Sequence, residues 1–266
     1  MKTSLGKQET QFLAYLQMRK KQIVRTGELT GPLHLTPDQE RELFRRMSRG
    51  GLIARVRPGL YLVPAQLPLG GSWSPDETLA INTLMEDRQG RYQICGPNAF
   101  NRYGFDNQVP NRVYAYNDQI SGERTIGVVE LMLIKVAENR LGATEEVQTA
   151  DGLITVYSSR VRTLVDAVYD WSRFNSLPRA YQWIRNELTT KRITADELVK
   201  ITLQYGDKGT IRRMGLLLDR EGIETKLLRK LERVLKPSKG LIPFIPGRPK
   251  RGAANPRWGV VNNEEA

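Results

Sequence analysis

The chain of 266 residues is 39% hydrophobic and 26% charged, enough apolar material for one large core or two smaller ones. No run approaches the roughly 20 apolar residues of a membrane span, and the N-terminal segment MKTSLGKQETQ lacks the apolar core of a secretory signal, so we expect a soluble, cytoplasmic protein. The single cysteine, Cys95, excludes an intramolecular disulfide and a cysteine-cluster zinc site, and the single histidine, His34, excludes a multi-histidine metal site.

The net charge of +12 is distributed unevenly along the chain. Residues 1–68 carry +7, residues 69–175 carry −4 and residues 176–266 carry +9. Two basic segments therefore flank an acidic middle, so we expect a polyanion to be bound by the ends of the chain. Nucleic acid is the partner class that this distribution favours.

The first predicted elements are helical. Gln8–Lys20 has apolar residues at helical spacing, and Ile23–Leu29 predicts a short second helix. Thr36 is an N-cap residue and Gln39 completes a capping box, so a longer third helix begins directly after Thr36. The Gly50-Gly51 pair ends it.

The third helix has one apolar and one charged side. Successive residues lie 100° apart, which places Leu43, Phe44 and Met47 on one face. Leu52–Val56 and Leu60–Pro64 then predict the two strands of a hairpin. Six arginines lie on the charged side of the helix, on its flanks, or on the hairpin: Arg41, Arg45, Arg46, Arg49, Arg55 and Arg57.

A helix, a short helix, a long helix and a hairpin are the layout of a winged helix-turn-helix, and we assign residues 1–68 to a DNA-binding domain of this kind. Guanidinium groups suit both phosphates and guanine edges, so the six arginines are the predicted DNA contacts. The alternative is a solvated face without a ligand. A basic helix followed at once by a basic hairpin favours DNA binding.

A second domain is predicted for residues 75–266, after a linker at Ala65–Ser74. Its first part, to about residue 175, predicts an α+β fold with a small, mostly antiparallel sheet, and its second part is helical with a proline-rich tail that should pack partly on the helices. The predicted strands are Tyr92–Cys95, Arg112–Tyr116, Ile126–Val136 and Leu153–Tyr157, with a polar turn at Ser121–Glu123. Ser159 is predicted to cap a helix that runs to Trp171. The other predicted helices are Pro75–Arg88, a short one through Tyr103, Pro178–Leu188, Ala195–Gln204, Gly209–Arg220 and Thr225–Leu235.

No sequence pattern typical of an active site is present, because the chain has no glycine-rich phosphate loop, metal-ligand cluster or G-x-S-x-G elbow. Glu130 and Lys135 point to opposite faces of one predicted strand. Asp166 and Asp170 lie one helical turn apart, and we expect them at the surface, with Arg162 as the ion-pair partner of Asp166. We therefore predict no catalysis, no cofactor and no metal.

The last predicted helix carries a basic stripe formed by Lys226, Arg229, Lys230 and Arg233. Its simplest interpretation is a solvated face. Contact with DNA or with an acidic partner is the alternative.

The order of segments resembles the AbiEi family, the antitoxin half of abortive-infection type IV toxin–antitoxin systems. The hairpin GLIARVRPGLYLVP is similar to the wing of the family's N-terminal domain. The segments YQICGPNAFNRYGFDNQVPNRVYAY, SSRVRTLVDAVYDW and GTIRRMGLLLDREGI resemble three further family motifs, and the ending around Arg257-Trp258 is also similar. The resemblance extends over nearly the whole chain.

This resemblance implies a non-enzymatic protein that represses its own operon by binding inverted repeats in the promoter, with two copies on the DNA. The C-terminal domain would counter a nucleotidyltransferase-like toxin, with or without a stable complex. The family's motifs point to Arg162, Asp166, Arg212 and Arg213 for the antitoxin function. Two alternatives stay open: a stand-alone winged-helix regulator whose C-terminal part senses a ligand or dimerises, and a winged-helix protein fused to an enzyme.

Overall fold

The computed structural model describes residues 6–66, 73–235 and 240–264. It shows a mixed fold of about 41% helix and 19% strand. The first of two compact units comprises the described residues up to Tyr92, Asn111–Leu141 and Val147–Thr155; the second comprises Gln93–Pro110, Gly142–Glu146 and the described residues from Val156 onward. Most of the predicted linker lies at 67–72, outside the described residues, so the domain limits 1–68 and 75–266 stay predictions.

The N-terminal part of the first unit contains two helices and a three-stranded sheet. In chain order its elements are α1 (Lys7–Met18), β1 (Ile23–Arg25), α2 (Pro37–Arg49), β2 (Ala54–Arg57) and β3 (Leu60–Leu62). Strands β1 and β2 both pair antiparallel with β3, which lies between them. In the core, Phe44 of α2 meets Phe12 of α1 edge-on and stacks on Tyr61 of β3, so the two helices and the sheet share one apolar cluster.

The short helix predicted at Ile23–Leu29 is wrong. The β-branched residues Ile23 and Val24 extend as β1, and Val24 is fully buried. The chain then turns, and the carboxylate of Glu40 accepts hydrogen bonds from the backbone N–H groups of Gly27 (2.6 Å) and Leu29 (2.8 Å). A three-residue strand is too short to show a period, and its partner β3 is remote in sequence.

The middle of the chain alternates helices and strands. Its elements are α3 (Glu77–Asp87), β4 (Tyr92–Ile94), α4 (Gly96–Arg102), β5 (Val113–Asn117), β6 (Gly122–Ile126), β7 (Val129–Lys135), β8 (Thr144–Gln148) and β9 (Ile154–Ser158), with a 3-10 turn at Glu138–Arg140. The polar turn predicted at Ser121–Glu123 is wrong, because β6 begins there. The β6–β7 turn is instead at Gly127-Val128, where Gly127 has φ +65°.

The strand pairings are mixed. Strand β7 pairs antiparallel with β6 and parallel with β5 in the first unit, and Ile94 of β4 pairs in parallel with Tyr157 of β9 in the second. The sequence patterns predicted a mostly antiparallel sheet. Alternation of polar and apolar residues identifies a strand but carries no information on its direction.

The rest of the second unit is helical, as predicted. The helices are α5 (Arg160–Tyr169), α6 (Trp171–Phe174), α7 (Arg179–Thr189), α8 (Ala195–Tyr205), α9 (Lys208–Arg220) and α10 (Thr225–Glu232). The tail adds short strands β10 (Ile242–Pro243), β11 (Ala253–Asn255) and β12 (Val260–Asn262). Phe244 and Trp258 of the tail are buried, and Phe244 stacks on Tyr181 of α7 at 4.1 Å, which confirms that part of the tail packs on the helices.

Candidate nucleic-acid interface

Helix α2 begins and ends where its sequence indicates. The Thr36 hydroxyl accepts a hydrogen bond from the Gln39 backbone N–H (3.2 Å), and the Gln39 side chain accepts one from the Thr36 backbone N–H (2.9 Å). This capping box satisfies two of the N–H groups that a helix start leaves open. The residues that pack inward are Leu43, Phe44 and Met47, as predicted, together with Glu40.

The four arginines of α2 are exposed, but three of them form ion pairs. Arg41 pairs with Asp38, both Nε and Nη2 of Arg45 donate to Glu42 at 2.8 Å, and Arg46 reaches Glu9 of α1 at 3.0 Å. The hydrogen bond from Arg45 is the main cause that lowers the pKa of the Glu42 carboxyl. Among the described residues, Arg49 has no hydrogen-bond or ion-pair partner.

A β-bulge separates the two arginines of the hairpin. Arg55 lies opposite Tyr61, whereas Arg57 lies opposite Leu60, and the register shifts between them. Opposed residues share a face of the sheet, so the bulge places Arg57 on the face of the buried Leu60 and leaves Arg55 on the face of Tyr61. Arg55 is exposed, and like Arg49 it has no hydrogen-bond or ion-pair partner in the described parts of the chain.

Arg57 is held by Asp87 at the end of α3. Its Nε and Nη2 donate to the two carboxylate oxygens at 2.6 and 2.5 Å, and Arg25 of β1 approaches the same carboxylate at 3.9 Å. The hydrogen bond from Arg57 is also the main cause that lowers the pKa of Asp87, whose side chain is only 8% exposed. A bidentate arginine–carboxylate pair is geometrically specific, so Arg57 positions the hairpin against α3.

The two residues that shape this region most, Glu40 and Asp87, were missed by sequence reasoning. Glu40 is fully buried and holds the turn after β1, and Asp87 clamps Arg57. A local signal existed for Glu40, because it falls within the apolar arc of α2 between Phe44 and Met47. No local signal marks Asp87, which lies 30 residues from its partner.

Arg162 and Asp166, which the family motifs suggest for antitoxin function, form an ion pair in the interior of the second unit. The pair is confirmed, with the Arg162 Nε 2.9 Å from both Asp166 oxygens, but the predicted surface placement of Asp166 is wrong, since it is 1% exposed and Arg162 is 0% exposed. The Arg162 guanidinium also lies 3.7 Å from the centre of the Tyr205 ring of α8. The pair therefore joins α5 to α8.

Arg212 and Arg213 fasten the tail to α9. Arg212 donates to the backbone carbonyls of Trp258 (2.8 Å), Gly240 (2.6 Å) and Gly259, and Arg213 donates to the carbonyl of Pro243 (3.3 Å). Burial lowers the pKa of both guanidinium groups. Both nevertheless stay protonated at neutral pH, because free arginine titrates far above it.

Gly215 and Asp219 of α9 complete this attachment. Gly215 leaves room for the Trp258 ring, and Asp219 accepts a hydrogen bond from the indole Nε1 at 2.8 Å and another from Arg257 at 2.9 Å. The Arg-Arg-x-Gly spacing of GTIRRMGLLLDREGI thus has a structural explanation: the two arginines donate hydrogen bonds to carbonyls of the tail, and the glycine makes room for the Trp258 ring.

The basic stripe of α10 is exposed, as its simplest interpretation predicts. Lys230 pairs with Asp196 of α8 at 2.8 Å. Lys226, Arg229 and Arg233 have no ion-pair partner in the described ranges. These three positions lie within about 60° of one another on the helix, so they form a concentrated positive charge.

Within the described residues, no group of three or more histidine, cysteine, aspartate or glutamate side chains could hold a metal ion. None of the described helices has the length and apolar character required to span a bilayer. Cys95 is buried after β4, and His34 is exposed on a turn.

Comparison with known proteins bears on the fold. No protein-family model and no curated protein matches the chain. Among solved structures, the chain is similar to the crystal structure of the RV2827C protein from Mycobacterium tuberculosis, with a TM-score of 0.62 and 13% identity over 98% of this chain and 92% of that chain. The likeness shows the fold alone.

Proposed function

We propose that the N-terminal part of the first unit is a winged helix-turn-helix that binds duplex DNA. The observation that carries this proposal is the placement of Arg49 and Arg55. Both are exposed, both lack an ion-pair partner among the described residues, and they belong to the helix and the hairpin that this fold would present to a groove and to the flanking phosphates.

The other four arginines divide into two kinds. Arg41 and Arg45 pair with exposed carboxylates three residues away on the same helix. Such pairs contribute little in water, so a phosphate can replace the carboxylate at low cost. Arg46 and Arg57 bind carboxylates of other elements, Glu9 and Asp87, and would have to give up a tertiary contact. We therefore rank Arg49 and Arg55 first as DNA contacts.

The biological role that we propose is that of an AbiEi-type antitoxin, a cytoplasmic, non-enzymatic protein that represses its own promoter at inverted repeats and counters a nucleotidyltransferase-like toxin. The support is the order of motifs along the chain together with the basic helix and hairpin. The internal ion pair of Arg162 and Asp166 and the tail contacts of Arg212 and Arg213 give those four residues a structural part in the second unit. Antitoxin surface residues are then to be sought elsewhere on that unit.

The DNA-binding test compares the wild type with Arg49→Ala/Arg55→Ala by fluorescence anisotropy on a duplex carrying the promoter repeats. If Arg49 reads a base, we expect a loss of about 1–3 kcal/mol from it alone. If Arg55 contacts a phosphate, the slope of log K against log salt should fall by about 0.9. Arg124→Ala removes another exposed arginine, from β6, and is the control. Unchanged affinity and slope in the folded double variant would refute the assignment.

The basic stripe of α10 is tested separately in the same assay. Under the solvated-face interpretation, Lys226→Gln/Arg229→Gln/Arg233→Gln binds the duplex as the wild type does. A salt slope lowered by about 0.9 for each lost phosphate contact would instead assign the stripe to DNA.

The antitoxin role is tested by co-expression with the product of an adjacent nucleotidyltransferase-like reading frame. We expect the wild type to restore growth, and we expect Arg49→Ala/Arg55→Ala to restore it equally while releasing the promoter. Absence of such a neighbouring frame, or failure of rescue by a stable protein, would favour the stand-alone regulator.

A further inference from the structure

An open pocket of about 360 Å³ lies in the first unit, where the start of β1, one side of α3 and the residue before β9 meet. Its apolar wall is formed by Ile23, Leu79 and Leu153. The volume is in the range of small-molecule sites, which combine an apolar lining with a few convergent polar groups.

Three polar side chains of the lining have no partner within the described residues. The Gln22 amide, the Thr83 hydroxyl and the Glu86 carboxylate make no hydrogen bond or ion pair there. Thr83 is 4% exposed, and its Oγ1 is buried. A buried hydroxyl without a partner is unfavourable, and rotation about χ1 of Thr83 exchanges its methyl and hydroxyl groups. The pocket therefore offers unused hydrogen-bonding capacity beside an apolar wall.

The other polar groups of the lining are already engaged. The Lys21 ammonium is bound by Glu28 at 2.5 Å, and the Asn82 amide donates to the backbone carbonyl of Ile154 at 2.9 Å. Among the described residues that line the pocket, the one charge without a partner is consequently the negative charge of Glu86. An anionic ligand would be repelled by Glu86, whereas a cation would be attracted.

The geometry points to a binding site for a small organic cation, a primary amine that carries a short apolar group. The ammonium would lie against Glu86 and donate to the oxygens of Thr83 and Gln22, and the apolar group would contact Leu79 and Leu153. The site is independent of the DNA-binding proposal, because none of these side chains belongs to the basic helix or the hairpin.

The test uses 2-phenylethylamine as the probe, titrated into the isotopically labelled full chain and followed by amide NMR shifts. We expect saturable shifts centred on Gln22, Thr83 and Glu86. The neutral isostere 2-phenylethanol should bind roughly tenfold more weakly, because it lacks the charge-assisted hydrogen bond. Absence of saturation, shifts centred elsewhere, or equal affinities of amine and alcohol would overturn the proposal.

Two variants separate the polar contributions. Glu86→Gln should weaken amine binding about tenfold and leave alcohol binding unchanged. The control is Glu146→Gln, which removes another exposed carboxylate without an ion-pair partner in the described chain. It should change the affinity of neither probe. Thr83→Val keeps the shape of the side chain, should fold at least as stably as the wild type, and should weaken both probes. Amine affinity that is insensitive to Glu86→Gln or to Thr83→Val would count against the site.

Discussion

Gly215 receives the ring of Trp258, and its replacement by alanine tests how the tail is attached to α9. A Cβ at this position would stand 2.1, 2.3 and 2.6 Å from three atoms of the Trp258 ring, far inside van der Waals contact. The ring has little freedom to move, because it is 1% exposed and its Nε1 is bound to Asp219 at 2.8 Å.

Three effects determine how much Gly215→Ala changes the free energy of unfolding. Overpacking a filled core destabilises by about 1–3 kcal/mol, and displacement of the indole weakens a hydrogen bond worth about 1 kcal/mol. Alanine is favoured over glycine in a helix by about 1 kcal/mol, which opposes them. We therefore expect Gly215→Ala to lower the free energy of unfolding by about 1–3 kcal/mol. Complete release of the ring sets an upper bound near 3–5 kcal/mol, as for a Trp→Ala change.

The assay is urea denaturation followed by circular dichroism at 222 nm, with Gly215→Ala measured in the wild type and in Trp258→Ala. Without the ring, the same substitution should become neutral or stabilising by up to about 1 kcal/mol, because only the helix preference is left. Gly209→Ala, in the same helix, is the matched control: its Cβ would stand 3.3 Å from Nη1 of Arg213 and 3.5 Å from Oδ1 of Asp207, without the overlap expected at the Trp258 ring, and it should not destabilise. A destabilisation of equal size in both backgrounds, or none in either, would refute the reasoning.

Two further predictions concern buried carboxylates. Arg57 lowers the pKa of Asp87, so the stabilisation from this pair is present above the unfolded pKa of about 4 and is lost as the pH falls through the lower folded value. The difference in free energy of unfolding between the wild type and Asp87→Asn should therefore shrink below about pH 4. A difference that does not depend on pH would contradict the pairing of Arg57 with Asp87. Asp166→Asn removes the carboxylate charge that pairs with the buried Arg162 guanidinium and should destabilise by about 3–5 kcal/mol in urea denaturation. Loss of toxin rescue with unchanged stability would instead assign Asp166 to the antitoxin function.

Most helices could be predicted from sequence, because caps and apolar periodicity are local. Thr36, Ser159 and Thr194 each accept a backbone N–H at the start of a helix, and the first two were predicted as caps. The errors fall on short or polar segments. β8, with the sequence TEEVQ, has no apolar alternation, and β1 has three residues, so the pairing of these strands depends on partners elsewhere in the chain.

The candidate interface could likewise be predicted only in part from the sequence. The charged side of α2 could be predicted, but the availability of the arginines on α2 and on the hairpin could not, because Arg46 and Arg57 are bound by carboxylates 37 and 30 residues away. The placement of Asp166 failed for a related reason. A carboxylate with an arginine one turn earlier is typical of a solvated helix face. The tertiary packing around α5, which includes Tyr205 of α8 over the Arg162 guanidinium, puts this pair in the interior.

The sequence by itself determined the start, the end and the two faces of α2, since capping and helical periodicity act within a few residues. The sequence also determined the hairpin turn, because it places Gly59 between the two strands. Gly59 has φ +81°, a backbone conformation that a residue without a side chain adopts readily. Only the tertiary structure decided that, of the six arginines predicted to contact DNA, Arg49 and Arg55 are the two without a carboxylate partner among the described residues, and that Arg57 holds the hairpin to α3. The physical reason is that an ion pair depends on the distance between two groups in space, which the order of residues along the chain does not supply.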